Sequence, residues 1–145
     1  MSEQCVLCAR NGRVLWSGRD FYVIDAQEKD IPGYTRIIAS RHVAEMSDLA
    51  ESERQAVWRA LHIAETVMRR CTGCHKVNLA EFGNMVPHMH WHVIPRWRDD
   101  PWFPGSTWSQ RVRDADAAAA GARAALAARY FEELAAALDE AFGPA

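Results

Sequence analysis

One run of seven residues constrains this chain more than any other: His88-Met89-His90-Trp91-His92-Val93-Ile94. Histidine and apolar residues alternate, and a period of two marks a β-strand, because successive side chains leave opposite faces of the backbone. On a strand, His88, His90 and His92 share one face at spacings of about 6–7 Å, and Met89, Trp91 and Val93 face a core. Pro95, which has no N–H for a ladder, is expected to end the strand. Three adjacent imidazoles are unfavourable wherever two are charged and buried. A merely polar strand face would be better served by Thr, Ser or Lys, so the run points to chemistry. Two chemistries fit. One is a triad of metal ligands, as in zinc hydrolases. The other is a histidine nucleophile whose neighbours hold its tautomer and bind an anion.

The remaining sequence reads as one domain over 1–145, with a core over about 5–110 and a C-terminal aromatic segment and helix over 97–142. A length of 145 residues suits a single hydrophobic core. The net charge of −2 gives no basic field for nucleic acid. No run of about 18 apolar residues could span a membrane, and Met1 to Cys5 shows no secretory leader. The expected setting is the cytoplasm, where four cysteines are thiols or metal ligands rather than disulfides.

Short β-rich runs occur at Val14–Trp16, Phe21–Ile24, Thr35–Ala39 and Lys76–Ala80, with Ser17-Gly18-Arg19-Asp20 as a hairpin turn. Ser52 and Gln55 match a capping box, and Val57, Leu61, Ala64 and Met68 recur at helical spacing, which predicts a helix over about 53–70. Cys71 to Cys74 reads as a loop around Gly73. Asp114 to Ala141 is Ala-rich and carries Leu126, Tyr130, Leu134 and Leu138 as one stripe, with Gly121 a point of weakness. Strands joined by short turns predict an α+β fold: a five-stranded, mainly antiparallel sheet with a central helix and a C-terminal helix on one face.

The pattern His-φ-His-φ-His-φ-φ, where φ is apolar, is matched at all seven positions and resembles the signature of the histidine triad family of nucleotide hydrolases and transferases. That resemblance implies that His90 attacks the α-phosphorus of a nucleotide, that His92 binds the phosphate oxygens, and that the main-chain amides near His88 help hold the anion. A neutral imidazole is nucleophilic at pH 7, and its phosphoramidate hydrolyses readily. The resemblance further implies ribose binding by Asp25, whose carboxylate can accept two hydrogen bonds, although a turn aspartate at a strand end is the alternative. It suggests a phosphate contact from Asn84. Many relatives read Pro-Gly-His where this chain has Pro32-Gly33-Tyr34. A phenol at Tyr34 can donate or accept a hydrogen bond but carries no proton charge at neutral pH, so support of the catalytic histidine is rebuilt around it or activity is low.

Zinc-bearing bacterial relatives imply a structural Zn²⁺ held by Cys5, Cys8, His42 and His88, a closed set of two thiolates and two imidazoles. Competing arrangements are a four-cysteine site from Cys5, Cys8, Cys71 and Cys74, and haem attachment at Cys71-Thr72-Gly73-Cys74-His75. The implied activity acts on purine nucleotides, such as dinucleoside polyphosphates or adenylated amines, through a nucleotidyl-histidine and with no metal in the chemical step. A homodimer is the usual state of the family. Two alternatives stay open: a metal-dependent hydrolase using the three histidines, with Glu81 the only nearby base, and a nucleotide-binding module without turnover. Trp97, Trp102, Phe103 and Trp108 are expected to line or cover the site mouth.

Overall fold

The computed structural model describes residues 5–143. The reading of the first four residues as lacking a leader falls outside them, and no helix among the described residues is long and apolar enough to cross a membrane. A short helix α1 (Val6–Ala9) precedes strands β1 (Arg13–Ser17), β2 (Phe21–Asp25) and β3 (Thr35–Ala39). Helix α2 (Glu51–Thr72) follows, then β4 (Lys76–Glu81), β5 (His90–Arg96) and helix α3 (Ala117–Phe142). The five strands form one antiparallel sheet in the order β1-β2-β3-β5-β4, as the alternating runs predict. At the β1–β2 hairpin, Gly18 is required because a Cβ there would come within 2.3 Å of the Trp16 ring.

Register divides the sheet into two faces. Val23, Ile37 and Trp91 lie in one row, on the side where α2 and α3 pack. There Val57, Leu61, Ala64 and Met68 of α2 meet Tyr130, Leu134 and Leu138 of α3 and the inner residues of the strands. Two polar ties fix α3 across this core: Tyr130 to Thr35 at 2.9 Å and the Trp16 indole N–H to Asp139 at 2.7 Å. The opposite row, Tyr22, Ile38 and His90, together with Arg36 and His92, forms the second face. Leu7 covers part of that face beside Tyr22, Ile24 and Ile38. The segment after β5 covers another part, where Trp102 packs on Ile31, Tyr34 and Ile94.

Helix α2 is capped at Ala50 and not at Ser52: the Glu53 carboxylate accepts the Ala50 N–H at 2.7 Å, so the capping acid sits two residues before the expected Gln55. The helix ends at Thr72, with Gly73 in the left-handed conformation (φ 65°) that a side chain would oppose. Cys71 therefore belongs to the last helical turn, where it is buried. Helix α3 begins at Ala117, three residues late, because the Asp116 carboxylate caps the Ala118 and Ala119 amides. It runs unbroken through Gly121.

The histidine strand departs from expectation at both ends. It begins at His90, so His88 lies outside the ladder, and it continues through Pro95 to Arg96. The Arg96 carbonyl accepts the His75 N–H on the β4 side. Alternation then turns the Pro95 nitrogen toward β3, whose pairing has already ended at Thr35 opposite Val93. No ladder bond is lost there, which is why proline is tolerated.

Candidate functional site

The histidine run builds two sites, one on each side of the start of β5. The first gathers Cys5, Cys8, His42 and His88, whose ligand atoms all lie within 4.8 Å of one another. The Nδ1 of His88 is 3.4 Å from both sulfurs, and the Nδ1 of His42 is 3.2 Å from Cys8 Sγ and 3.2 Å from His88 Nδ1. A tetrahedral ion bound at roughly 2.0–2.1 Å by nitrogen and 2.3 Å by sulfur has N–N and N–S edges of roughly 3.3–3.6 Å, close to these separations. The other nitrogen of His88 lies 2.7 Å from the Ala39 carbonyl. A carbonyl only accepts, so His88 carries its proton on Nε2 and turns a lone pair toward the sulfurs, as an imidazole does when a carbonyl orients it for a metal ion. Burial, with the His42 and His90 charges adding to it, pushes the His88 pKa down, although its bond to Ala39 opposes this, so the ring is neutral and ready to ligate. This donor set can hold a metal ion.

Among the described residues no other cluster of histidine, cysteine or carboxylate ligands converges in this way. Cys71 and Cys74 lie outside it, which removes the four-cysteine arrangement. The three histidines of the run do not share an ion either, since His88 faces the thiols while His90 turns one nitrogen to a backbone carbonyl.

The second site is an open cavity lined by Phe82, Asn84, Met85, Val86, His90, His92 and Trp108, with Gly83 at its edge. Among the described residues neither a carboxylate nor a Lys or Arg side chain lines it. The His90 Nδ1 is 2.6 Å from the His88 carbonyl. That oxygen can only accept, so neutral His90 is protonated at Nδ1 and presents an Nε2 lone pair. The His92 ring stands beside it, with centroids 5.0 Å apart, and its Nδ1 meets the Tyr34 hydroxyl at 2.8 Å. Burial first, then the charges of His90 and Arg36, lower the His92 pKa to about 3, so this ring is neutral at physiological pH. Trp108 packs edge-on to both His92 and Phe82, at 4.8 and 4.7 Å.

The residues expected to contact a nucleotide separate. Asn84 lines the cavity. Tyr34 is buried behind His92 and bonds that ring rather than facing open space. Asp25 falls in the row of Thr35 and Val93, on the helix side of the sheet. Its carboxylate is engaged by the Gln27 amide at 2.8 Å and by Arg13 at 3.1 Å, in a pocket against Ala124, Ala127 and Phe131 of α3. Alternation along β2 puts it there, since its neighbour Ile24 takes the histidine face. In the aromatic segment Trp108 alone reaches the cavity lining. Trp102 packs in the small cluster under Tyr34, Phe103 against His75, and Trp97 under Arg123. Buried Asp100 anchors this segment: it holds Arg96 at 2.8 and 3.1 Å and accepts the Trp97, Trp102 and Phe103 amides. Phe82, Met85 and Val86 were not singled out from the sequence. The signal available in the sequence is their apolar character in the short turn between β4 and the histidine run; the structure leaves Met85 95% exposed there.

The HIT domain family model matches residues 12–99. Among curated proteins the chain is 24% identical over 109 residues to an AP-4-A phosphorylase of Mycobacterium tuberculosis, covering 71% of this chain and 53% of the relative. It is 27% identical over 92 residues to a bis(5'-adenosyl)-triphosphatase of Saccharomyces cerevisiae, covering 59% and 45%. The chain thus spans about half the length of the curated relatives it matches. Among solved structures, a histidine triad protein from Bradyrhizobium japonicum superposes with a TM-score of 0.69 at 21% identity over 87% of this chain and 95% of that one. A Zn-bound histidine triad family protein from Mycobacterium smegmatis does so with a TM-score of 0.64 at 22% identity over 97% and 99%.

Proposed function

The chain belongs to the HIT domain family, and on that premise we propose that it is a nucleotide hydrolase or transferase acting at the α-phosphate of an adenine nucleotide. The observation that carries this reading is the bond from His90 Nδ1 to the His88 carbonyl at 2.6 Å, which leaves Nε2 as a fixed lone pair at the cavity. In the first step Nε2 of His90 forms a P–N bond to the α-phosphorus, and the bond to the leaving group breaks, with its electron pair going to that group, which picks up a proton from solvent. In the second step water attacks the same phosphorus and gives a proton to solvent, the P–N bond breaks with its electron pair going to Nε2, and the His90 lone pair is restored. In this reading His92 and Asn84, which line the same cavity, hold the phosphate oxygens. The names of the two curated relatives favour dinucleoside polyphosphates as substrates, and adenylated amines share the reacting phosphate.

Cys5, Cys8, His42 and His88 fit a structural zinc ion, which would tie α1 to the start of β5 and take no part in the displacement. The reading extends to a homodimer, as is usual in the family, and to a cytoplasmic setting in which the thiols stay reduced. It involves neither nucleic acid nor membrane. The test is mass spectrometry of protein quenched during turnover of adenylated substrates. The expected product is a nucleotidyl adduct on the His90 peptide, absent from His90→Ala. An adduct elsewhere, or turnover by folded His90→Ala near the wild-type rate, overturns the proposal.

A further inference from the structure

We propose that Tyr34 is a positioning residue: its hydroxyl donates to Nδ1 of His92 and so fixes the His92 proton on Nε2, making that ring a hydrogen-bond donor toward the cavity. Two adjacent histidines then carry opposite tautomers. His90 offers a lone pair to phosphorus, and His92 offers an N–H to a phosphate oxygen. That oxygen as acceptor rests on the phosphoryl-transfer reading above; the tautomer does not.

The direction of the bond follows from what surrounds the hydroxyl. Tyr34 and His92 are each about 94% buried, at 6% exposure, and the phenol oxygen is 2.8 Å from Nδ1. Among the described residues Nδ1 is the one hydrogen-bond partner of this hydroxyl. Thr107, beside Tyr34, has a buried Oγ1 with no bond of its own in this geometry; its proton has the phenol oxygen as its acceptor, and a Thr107 that instead took the phenolic proton would leave its own unmade. Arg36, paired with His92 across β3 and β5, places its guanidinium 5.4 Å from the Tyr34 ring centroid. A guanidinium has donors only, so it can bond the phenol's lone pairs but cannot take its proton. The phenolic proton therefore has Nδ1 as its acceptor, and a buried donor left unmade is strongly disfavoured. Reversing the bond would put Nδ1–H against the phenol and send the phenolic proton to Thr107, whose own buried proton would then have no acceptor among these groups. The edge-on packing of the two rings, with centroids 5.8 Å apart and planes at 74°, holds the geometry. Burial raises the Tyr34 pKa, which keeps the hydroxyl protonated across the neutral range.

The consequence is a division of labour that His92 could not set for itself. In a free imidazole either nitrogen can hold the proton, and a phosphate binding to the unprotonated nitrogen would meet lone-pair repulsion. With Nδ1 occupied by an O–H donor, every molecule presents Nε2–H.

The experiment is nitrogen-15 NMR of the imidazoles in the full-length, metal-loaded protein at neutral pH, with the His92 signals assigned by their loss in His92→Gln. The expected wild-type spectrum shows His92 protonated at Nε2 and bare at Nδ1, and His90 the reverse. Tyr34→Phe keeps the ring and removes the donor. In it His92 should lose its single tautomer while His90 keeps its own. Turnover should fall about 10- to 100-fold, the range of a general positioning contact, with a smaller change in KM. Tyr34→His, which can again donate from a ring N–H, should restore the His92 signal and most of the rate. A wild-type His92 carrying its proton on Nδ1 overturns the proposal whether or not the variants fold. So does Tyr34→Phe with an unchanged His92 spectrum, even if its stability and rate fall. Failure of the phosphoryl-transfer reading shows separately, as turnover by His90→Ala, and leaves the tautomer result standing.

Discussion

The two sites on either side of the start of β5 draw on one run of histidines and do opposite things with it. At His88 the chain is outside the ladder, the side chain is fully buried, and four ligand atoms converge from α1, the loop after β3 and the histidine run. At His90 and His92 the chain is in the ladder, and the rings face an open cavity with apolar walls and no charged lining residue. The cluster brings together four metal-ligand atoms, and the cavity has room but, among the described residues, no second set of ligands. One atom joins them: the His88 carbonyl, whose own side chain sits in the cluster while its oxygen holds His90 Nδ1. The comparison teaches that identical side chains at a spacing of two acquire different chemistry from the partner of their second nitrogen. For His88 and His90 that partner is a carbonyl, but on opposite ring nitrogens.

The largest effect that would sharpen this contrast is expected from His90→Ala. Removing a nucleophile removes the pathway, so turnover should drop by several orders of magnitude while nucleotide affinity stays within about tenfold, or 1.4 kcal/mol. Steady-state rates and equilibrium binding on the folded variant check both halves. Next comes the cluster. Elemental analysis of protein purified without chelator should find about one zinc per chain, and Cys8→Ser should lose it. At free metal a thousandfold above its Kd, binding contributes about 4 kcal/mol, which should appear as a lower melting temperature after chelation. A Cys8→Ser protein that retains its metal and its melting temperature would break the distinction between the two sites.

A third change tests the support behind the cavity. Asp100→Ala strands the Arg96 guanidinium, 2% exposed, without its carboxylate, and breaking such a buried pair costs about 3–5 kcal/mol. Chemical denaturation should register that loss, and the cavity should lose its order at Trp108 while the cluster keeps its metal. Asp100 is held below the usual carboxylate range because, against the upward push of burial, the Arg96 bonds and the Trp97 and Trp102 amides prevail.

Acid should distinguish the sites by a smaller effect. The His92 pKa of about 3 lies below the ordinary 6.5, so between these values the unfolded chain binds a proton that the folded chain does not. Stability therefore rises with pH through this window, is fully present above 6.5, and is lost as pH falls toward 3. Melting temperatures from pH 7 to pH 4 at constant metal loading should decline less steeply in His92→Gln than in wild type. Parallel slopes would mean that His92 is not the acid-labile group of the cavity. The smallest effect is expected from Trp108→Ala. Its edge-on contacts with His92 and Phe82 order one wall of the cavity from a half-exposed position, so substrate affinity should fall by about tenfold or less, about 1.4 kcal/mol, with metal content unchanged.

The sequence by itself determined the sheet, because alternation and turn residues are local signals: the strands at Phe21, Thr35 and Lys76 lie where their apolar periods put them. For the metal-ligand set the residues alone left a four-cysteine site and a haem attachment open; the family resemblance pointed to Cys5, Cys8, His42 and His88, and the fold brings their ligand atoms within 4.8 Å of one another. What only the tertiary structure decided is where the histidine strand starts, which face Asp25 takes, and which nitrogen of each ring is free. Pro95 illustrates the reason. Whether a missing N–H ends a strand depends on whether a neighbour waits for it, and β3 has already stopped. Tyr34 and His92 lie 58 residues apart, and no local pattern in either segment reports the other. Periodicity is a property of adjacent residues. A tautomer is set by a hydrogen bond, and that bond exists only once distant strands have paired.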